Sequence, residues 1–209
     1  MDKVNNEEIK IFNIITLGDS GVGKTSIINR YIANKFEDNI SSTLGMNFSY
    51  KELNFNNKDK IKLKLVDTAG QEKYRALTKS YFKNVHVVLF VFSVDDNESF
   101  NSIKYWMKLF NDNNKEDIPK YLIATKNDLE IKVDRSSIEE FIMENKIPFK
   151  STSAKENNNI EELFEEIGKQ LYIDYRNNGD KGQNNINIKI IKKNHKGGCC
   201  LFKFAQPDM

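Results

Sequence analysis

The chain has 209 residues, 39% hydrophobic and 30% charged, and its 32 basic and 30 acidic side chains leave a formal net charge of +2. That suits one domain of about 150–200 residues with a tail, and the near-balanced charge speaks against a basic nucleic-acid binder, so no nucleic acid is expected as a partner. No apolar run approaches the ~18–20 residues of a membrane-spanning helix, the polar, acidic stretch Met1 to Lys10 does not read as a secretory leader, and the two cysteines, Cys199 and Cys200, are adjacent, which argues against a disulfide scaffold and for an intracellular protein.

Ile9 to Leu17 is a strand-like apolar run. Lys24 to Ala33 reads as a helix, with Ile27, Ile28 and Tyr31 on one side. Met46 to Phe55 and Lys60 to Val66 alternate as strands, and Asn56-Asn57-Lys58-Asp59 between them is turn-like, which predicts a hairpin. Val85 to Val94 is almost unbroken apolar, as in a strand buried on both faces. Asn97 to Asn111 is an amphipathic helix with Phe100, Ile103, Met107 and Phe110 on its stripe. Lys120 to Thr125 is a short strand. Asp134 to Asn145 is a helix capped by Asp134 or Ser136, Pro148 to Ser151 a last short strand, and Asn158 to about Tyr175 a closing helix.

Strands alternating with helices predict an α/β fold with a mostly parallel sheet covered on both faces, and ligands on such sheets bind beyond the carboxyl ends of the strands. Gly18, Gly21, Gly23, Gly45 and Gly70 cluster in the first third, and no glycine follows until Gly168. From Arg176 onward the periodicity weakens and Asn, Gly and Lys dominate. The expected organisation is a polar extension over 1–8, a folded domain over 9–175 and a mobile lysine-rich tail over 176–209. The chain contains 27 Asn and 28 Lys but only 4 Arg, a bias spread along its whole length, so a lone Asn or Lys carries little information.

After the first strand comes Gly18-Asp19-Ser20-Gly21-Val22-Gly23-Lys24-Thr25, which is G-x-x-x-x-G-K-[ST] between a strand and a helix. Its glycines let successive N–H groups from Ser20 through Ser26 face phosphate oxygens, and the helix start adds partial positive charge. Lys24 would bridge the β- and γ-phosphates, and the Thr25 hydroxyl would ligate Mg²⁺. Taken alone, the motif does not separate an ATPase, a small kinase and a GTPase. Asp67, at the end of the third strand, stands where a second acidic element holds Mg²⁺ through water.

Asp67-Thr68-Ala69-Gly70-Gln71-Glu72 is the intact D-T-A-G-Q-E motif, and here the sequence resembles the small GTPase family. The resemblance implies a P-loop NTPase fold (a small G domain over 9–175) with a sheet of about six strands. It implies that the N–H of Gly70 senses the γ-phosphate and that Gln71 orients the attacking water, with Lys24 and Thr43 as the other catalytic groups. Thr43, in Ser42-Thr43-Leu44-Gly45, matches the first-switch threonine that ligates Mg²⁺. Phe36 matches the aromatic ring set against the guanine. Thr125-Lys126-Asn127-Asp128 matches the base-selecting motif, in which Asp128 accepts from guanine N1 and N2; the family usually begins it with Asn, and its Rho branch uses Thr. Ser153-Ala154-Lys155 matches S-A-K, where the Ala154 N–H would meet guanine O6. The implied ligands are GTP or GDP with Mg²⁺.

Within the family the chain looks most like the Rab branch. Glu72-Lys73-Tyr74-Arg75 is similar to E-R-F-R, and Ser80-Tyr81-Phe82-Lys83 to Y-Y-R. Glu98-Ser99-Phe100 with Trp106 resembles its third helix, and Gly197-Gly198-Cys199-Cys200 its double-cysteine tail. Val66 stands where Rabs carry the Trp of an effector-facing triad, beside retained Phe48 and Tyr81, and Asn47 replaces an acidic residue. Nine residues follow Cys200. The tail reads as prenylated after trimming, S-acylated or without lipid, with Lys189, Lys192, Lys193, Lys196 and Lys203 near the cysteines. The resemblance implies a GTP/GDP switch in vesicle trafficking, with effectors, an exchange factor and an activating protein at the switch loops. It also implies a cytoplasmic protein peripheral on the cytosolic face of intracellular membranes. A pseudo-GTPase scaffold and a Ras- or Rho-type signalling GTPase are the alternatives.

Overall fold

The computed structural model describes residues 9–55, 59–70 and 80–178. Its strands are β1 (Lys10–Leu17), β2 (Met46–Phe55), β3 (Asp59–Thr68), β4 (Val87–Ser93), β5 (Lys120–Thr125) and β6 (Phe149–Ser151). They form one sheet in the order β2-β3-β1-β4-β5-β6. Every pairing is parallel except that of β2 with β3. This is an α/β architecture, and the expected six-stranded, mostly parallel sheet is present. The hairpin expected from Met46 to Val66 is the antiparallel β2–β3 pair; its turn, 56–58, lies outside the described residues.

Central β4 (VVLFVFS) is buried at every position, as its apolar run requires with helices on both sides. On one face, α1 (Lys24–Ala33) and α5 (Ile160–Asn178) pack Ile27, Tyr31, Phe164 and Leu171 against Ile14, Leu63 and Leu65. On the other, α2 (Asn97–Asn101), α3 (Ile103–Asn113) and α4 (Arg135–Asn145) pack Phe100, Trp106, Phe110 and Phe141 against Ile15, Phe90 and Phe92. Two cores thus hold the sheet rigid while the loops beyond its strand ends stay open.

Some boundaries differ from the sequence expectation. The single helix expected over Asn97 to Asn111 is two segments flanking Ser102, whose ψ of −16° is nearer 3₁₀ than α geometry. Asp134 is the cap of α4: its carboxylate accepts from the Ser137 N–H at 2.9 Å, and the Ser136 hydroxyl also donates to it. The last helix starts at Ile160 and runs to Asn178, past the expected end near Tyr175. Its final turns are tied to the β2–β3 hairpin. Tyr172 stacks on Phe55 at 4.4 Å and donates to Asp59, and Arg176 lies 3.6 Å from Asp59.

Candidate functional site

Loops at the carboxyl ends of β1, β3, β5 and β6, with the segment between α1 and β2, enclose a cavity of about 440 Å³. Ser20, Gly21, Gly23, Lys24, Thr25, Ser26, Phe36, Thr43, Gly70, Thr125, Lys126, Asp128, Ala154 and Lys155 line it. The sheet topology places them there, because parallel strands deliver their following loops to one edge.

The phosphate-type loop ends at Gly23, the residue before α1, which sits at φ 95° in left-handed space that a side chain would strain. No side chain caps the helix, so its first N–H groups face the cavity without an intrachain acceptor from a cap. Lys24 is almost fully buried, and its Nζ donates to Gly18 O at 2.9 Å and Asp19 O at 2.7 Å. Burial lowers its pKa to about 8, while the Asp67 and Asp19 carboxylates act in the opposite direction. A buried cation held by loop carbonyls on a cavity wall can exchange them for the oxygens of an anion.

Three oxygens, from the first turn of α1, the end of β3 and the segment between α1 and β2, meet beside it. The Thr25 hydroxyl donates to Asp67 Oδ2 at 2.8 Å and lies 2.9 Å from Thr43 Oγ1, which is 3.4 Å from the same carboxylate oxygen. Asp67 is buried, its pKa is raised by that burial, and its Oδ1 has no hydrogen-bond partner among the described residues. An orphaned buried carboxylate oxygen with two hydroxyls is a hard-oxygen set, which fits Mg²⁺ and does not fit a soft metal. Gly70 packs against the phosphate loop: a Cβ there would lie 2.2 Å from Asp19 C and 2.3 Å from Ser20 N. The loops of Thr43 and Gly70 are joined by the Ala69 N–H donating to Gly45 O at 3.0 Å.

At the other end of the cavity, the Ser153 hydroxyl donates to Asp128 Oδ1 at 2.5 Å and accepts from the Glu156 N–H at 3.0 Å, which fixes the carboxylate. The Thr125 hydroxyl reaches Phe92 O at 3.0 Å and Val22 O, so it ties the base-side loop to the phosphate loop. Phe36 lines the cavity and also packs partly against the core with α1.

Three sequence-predicted residues stand behind the cavity wall. Val22 is a core side chain, Ser153 is fully buried behind Asp128, and Asp67 reaches the cavity through Thr25 and Thr43. Gln71 lies outside the described residues, as do Glu72 to Arg75 and Cys199 with Cys200. Sequence reading missed Arg30. From α1 it donates to Ala154 O at 2.7 Å and Lys155 O at 3.2 Å, and so holds the S-A-K loop against the cavity. Its rarity, one of 4 Arg in a chain of 28 Lys, was a usable signal. Leu129, which also lines the cavity, carried none.

Of the aromatic triad region, Phe48 and Tyr81 are exposed with ring centroids 5.6 Å apart, and Lys64 Nζ sits 4.2 Å from the Phe48 ring. Val66, opposite Phe48 in the β2–β3 ladder, is buried in the core.

The sequence profile of the Ras family matches residues 13–173. The chain is similar to Ras-related protein Rab-11B of Dictyostelium discoideum, with 38% identity over 205 residues, covering 92% of this chain and 89% of that protein.

Proposed function

We propose that this chain, which belongs to the Ras family of small GTPases and to its Rab-like branch, performs that family's chemistry with Lys24, Thr25, Thr43, Asp67, Gly70 and Gln71. As a member it is a GTPase, a switch between GTP- and GDP-bound forms. Ras-family GTPases bind GTP or GDP with Mg²⁺, and the proposed site for both is the cavity at the strand ends.

The observation that carries this reading is the meeting of Thr25, Thr43 and the half-satisfied Asp67 carboxylate beside buried Lys24. The Thr25 and Thr43 hydroxyls would hold Mg²⁺, with Asp67 acting through water. When bound, the ion neutralises charge on the phosphate oxygens. Lys24 releases the Gly18 and Asp19 carbonyls to take phosphate oxygens, and it stabilises charge there as it grows during transfer. The uncapped N–H groups at the start of α1 do the same along the chain of phosphates. Gln71, next to Gly70 in the D-T-A-G-Q-E motif, is assigned to orient the attacking water. Asp128, held by Ser153, selects guanine, and the Ala154 N–H is assigned to the guanine O6. Loss of the γ-phosphate removes one partner from both Thr43 and Gly70, and their joined loops then relax together.

The nucleotide domain is assigned to residues 9–175, preceded by the 1–8 extension and followed by the lysine-rich tail over 176–209, whose first residues, to Asn178, complete α5. Vesicle trafficking is the assigned process, supported by the Rab-like sequence features. Its partners are effectors, an exchange factor and an activating protein at the two switch loops. Membrane attachment on the cytosolic face is assigned to Cys199 and Cys200 with the surrounding lysines. Among the described residues no helix is long and apolar enough to cross a membrane.

The test is nucleotide content and Mg²⁺-dependent GTP affinity of the purified full-length protein beside Thr25→Asn. Loss of Mg²⁺-dependent GTP binding by tenfold or more is expected in the variant. Equal, Mg²⁺-independent binding in both proteins would refute the metal assignment. Intact mass of the protein from native membranes tests the lipid assignment, and an unmodified tail there refutes it.

A further inference from the structure

The phosphate loop is gripped from outside by a side chain that no phosphate chemistry requires. Trp106, in α3, is fully buried, and its indole Nε1–H donates to Asp19 Oδ1 at 2.8 Å across 87 residues of sequence. A buried indole N–H needs an acceptor, but a carboxylate inside a loop that receives phosphates is an electrostatic liability. The geometry resolves the conflict. The indole draws the carboxylate toward α3, while the carbonyl of the same residue accepts from Lys24 Nζ at 2.7 Å. Gly70 presses on the same backbone, since a Cβ there would lie 2.4 Å from Asp19 O. Asp19 is therefore touched by the phosphate lysine, by the loop that follows β3 and by Trp106.

We propose that Trp106 is a positioning residue for nucleotide: through the Asp19 carboxylate it holds the phosphate loop in its receiving form and links that loop to α3. The proposal rests on the reading of the cavity as the nucleotide site. Without the indole N–H, the carboxylate is free to turn toward the bound phosphates, and the carbonyl that meets Lys24 loses its fixed position. A hydrogen bond to a charged group in a partly buried setting supports an effect of about 10- to 100-fold on nucleotide retention. Because Trp106 is the single tryptophan of the chain, its emission reports this contact directly.

The experiment uses the full-length protein loaded with fluorescent GDP. Release is timed in the parent, in Trp106→Phe, in Asp19→Ala and in the double variant. Trp106→Phe keeps an aromatic ring, smaller than the indole, and removes the N–H; Asp19→Ala removes the acceptor from the loop side and leaves every core side chain in place. Each single variant is expected to release GDP about 10- to 100-fold faster, and the double variant no faster than the singles, since the contact can be lost only once. Asp19→Ala is also expected to shift Trp106 emission. If Trp106→Phe proves too unstable to assay, Asp19→Ala with its release rate and emission decides the matter. Parental release in the singles, or fully additive acceleration in the double variant, overturns the proposal and leaves the nucleotide site intact. A parent that holds no guanine nucleotide overturns both.

Discussion

Thr125 stands where the family's motif usually has Asn, and its hydroxyl has two partners. It reaches across to Val22 O and Phe92 O, so the base-side loop and the phosphate loop share one anchor. With Thr at this position the loops are joined, which a view of the motif alone could not decide. Ser153 plays the same part for Asp128. Ser153→Ala removes a 2.5 Å hydrogen bond to the carboxylate and leaves the Glu156 N–H without its acceptor. Guanine nucleotide affinity should fall about tenfold, the scale of one charge-assisted hydrogen bond. Titration with GDP measures it, and an unchanged affinity would remove Ser153 from any positioning role. Gln71→Leu should bind GTP like the parent and hydrolyse it at least tenfold more slowly, because the side chain can no longer orient water. Single-turnover phosphate release is the measurement, and a parental rate would count against the assignment.

At the scale of elements, α1 and α5 act as a pair. Tyr31 of α1 stacks on fully buried Phe164 of α5 with centroids 4.4 Å apart. Arg30, one residue earlier, reaches the loop before α5 at Ala154 and Lys155. The helix that begins at the phosphate loop is thus fixed by the element that follows the loop proposed to meet the base. Phe164→Ala should cost about 3–5 kcal/mol by leaving a cavity at that seam. Denaturant unfolding reads the loss; a cost under about 1 kcal/mol would mean the seam collapses without penalty. The interruption at Ser102 belongs to this scale too. The apolar spacing of Phe100, Ile103 and Phe110 is continuous across it, so periodicity reads one helix where the backbone forms two. Asp96 begins the first by accepting from the Glu98 and Ser99 N–H groups at 3.0 and 3.3 Å.

At the scale of the molecule, His86 joins the strand that leads into the phosphate loop to the segment before β4. Its Nδ1 accepts from the Asn13 N–H at 3.0 Å, and its own backbone N–H donates to Asn13 O at 2.8 Å. Burial, with Lys10 adding to it, lowers the imidazole pKa from 6.5 to about 4. The folded pKa lies below the unfolded one. The contribution is thus complete above pH 6.5 and lost as pH falls toward 4, by at most about 3 kcal/mol. Denaturant unfolding between pH 7 and pH 4 should show that decline in the parent and a flatter profile in His86→Gln. Parallel profiles would rule out His86 as its source.

Much of this protein was legible in the amino-acid sequence. Order along the chain is a local property, and so are loop motifs. The alternation of apolar runs set the strands and helices, and Gly18 to Thr25, Asp67 to Gly70 and Thr125 to Asp128 carried the family's motifs without any contact being known. The tertiary structure decided what depends on distance in space. It made α5 continue to Asn178, because Tyr172 and Arg176 find Asp59 at the far end of a hairpin. It buried Val66 opposite exposed Phe48, and it brought Thr25, Thr43 and Asp67 together. It also joined Trp106 to Asp19. Residues 87 positions apart share no local pattern; only the packing of two faces onto one sheet puts an indole within hydrogen-bond reach of a phosphate loop.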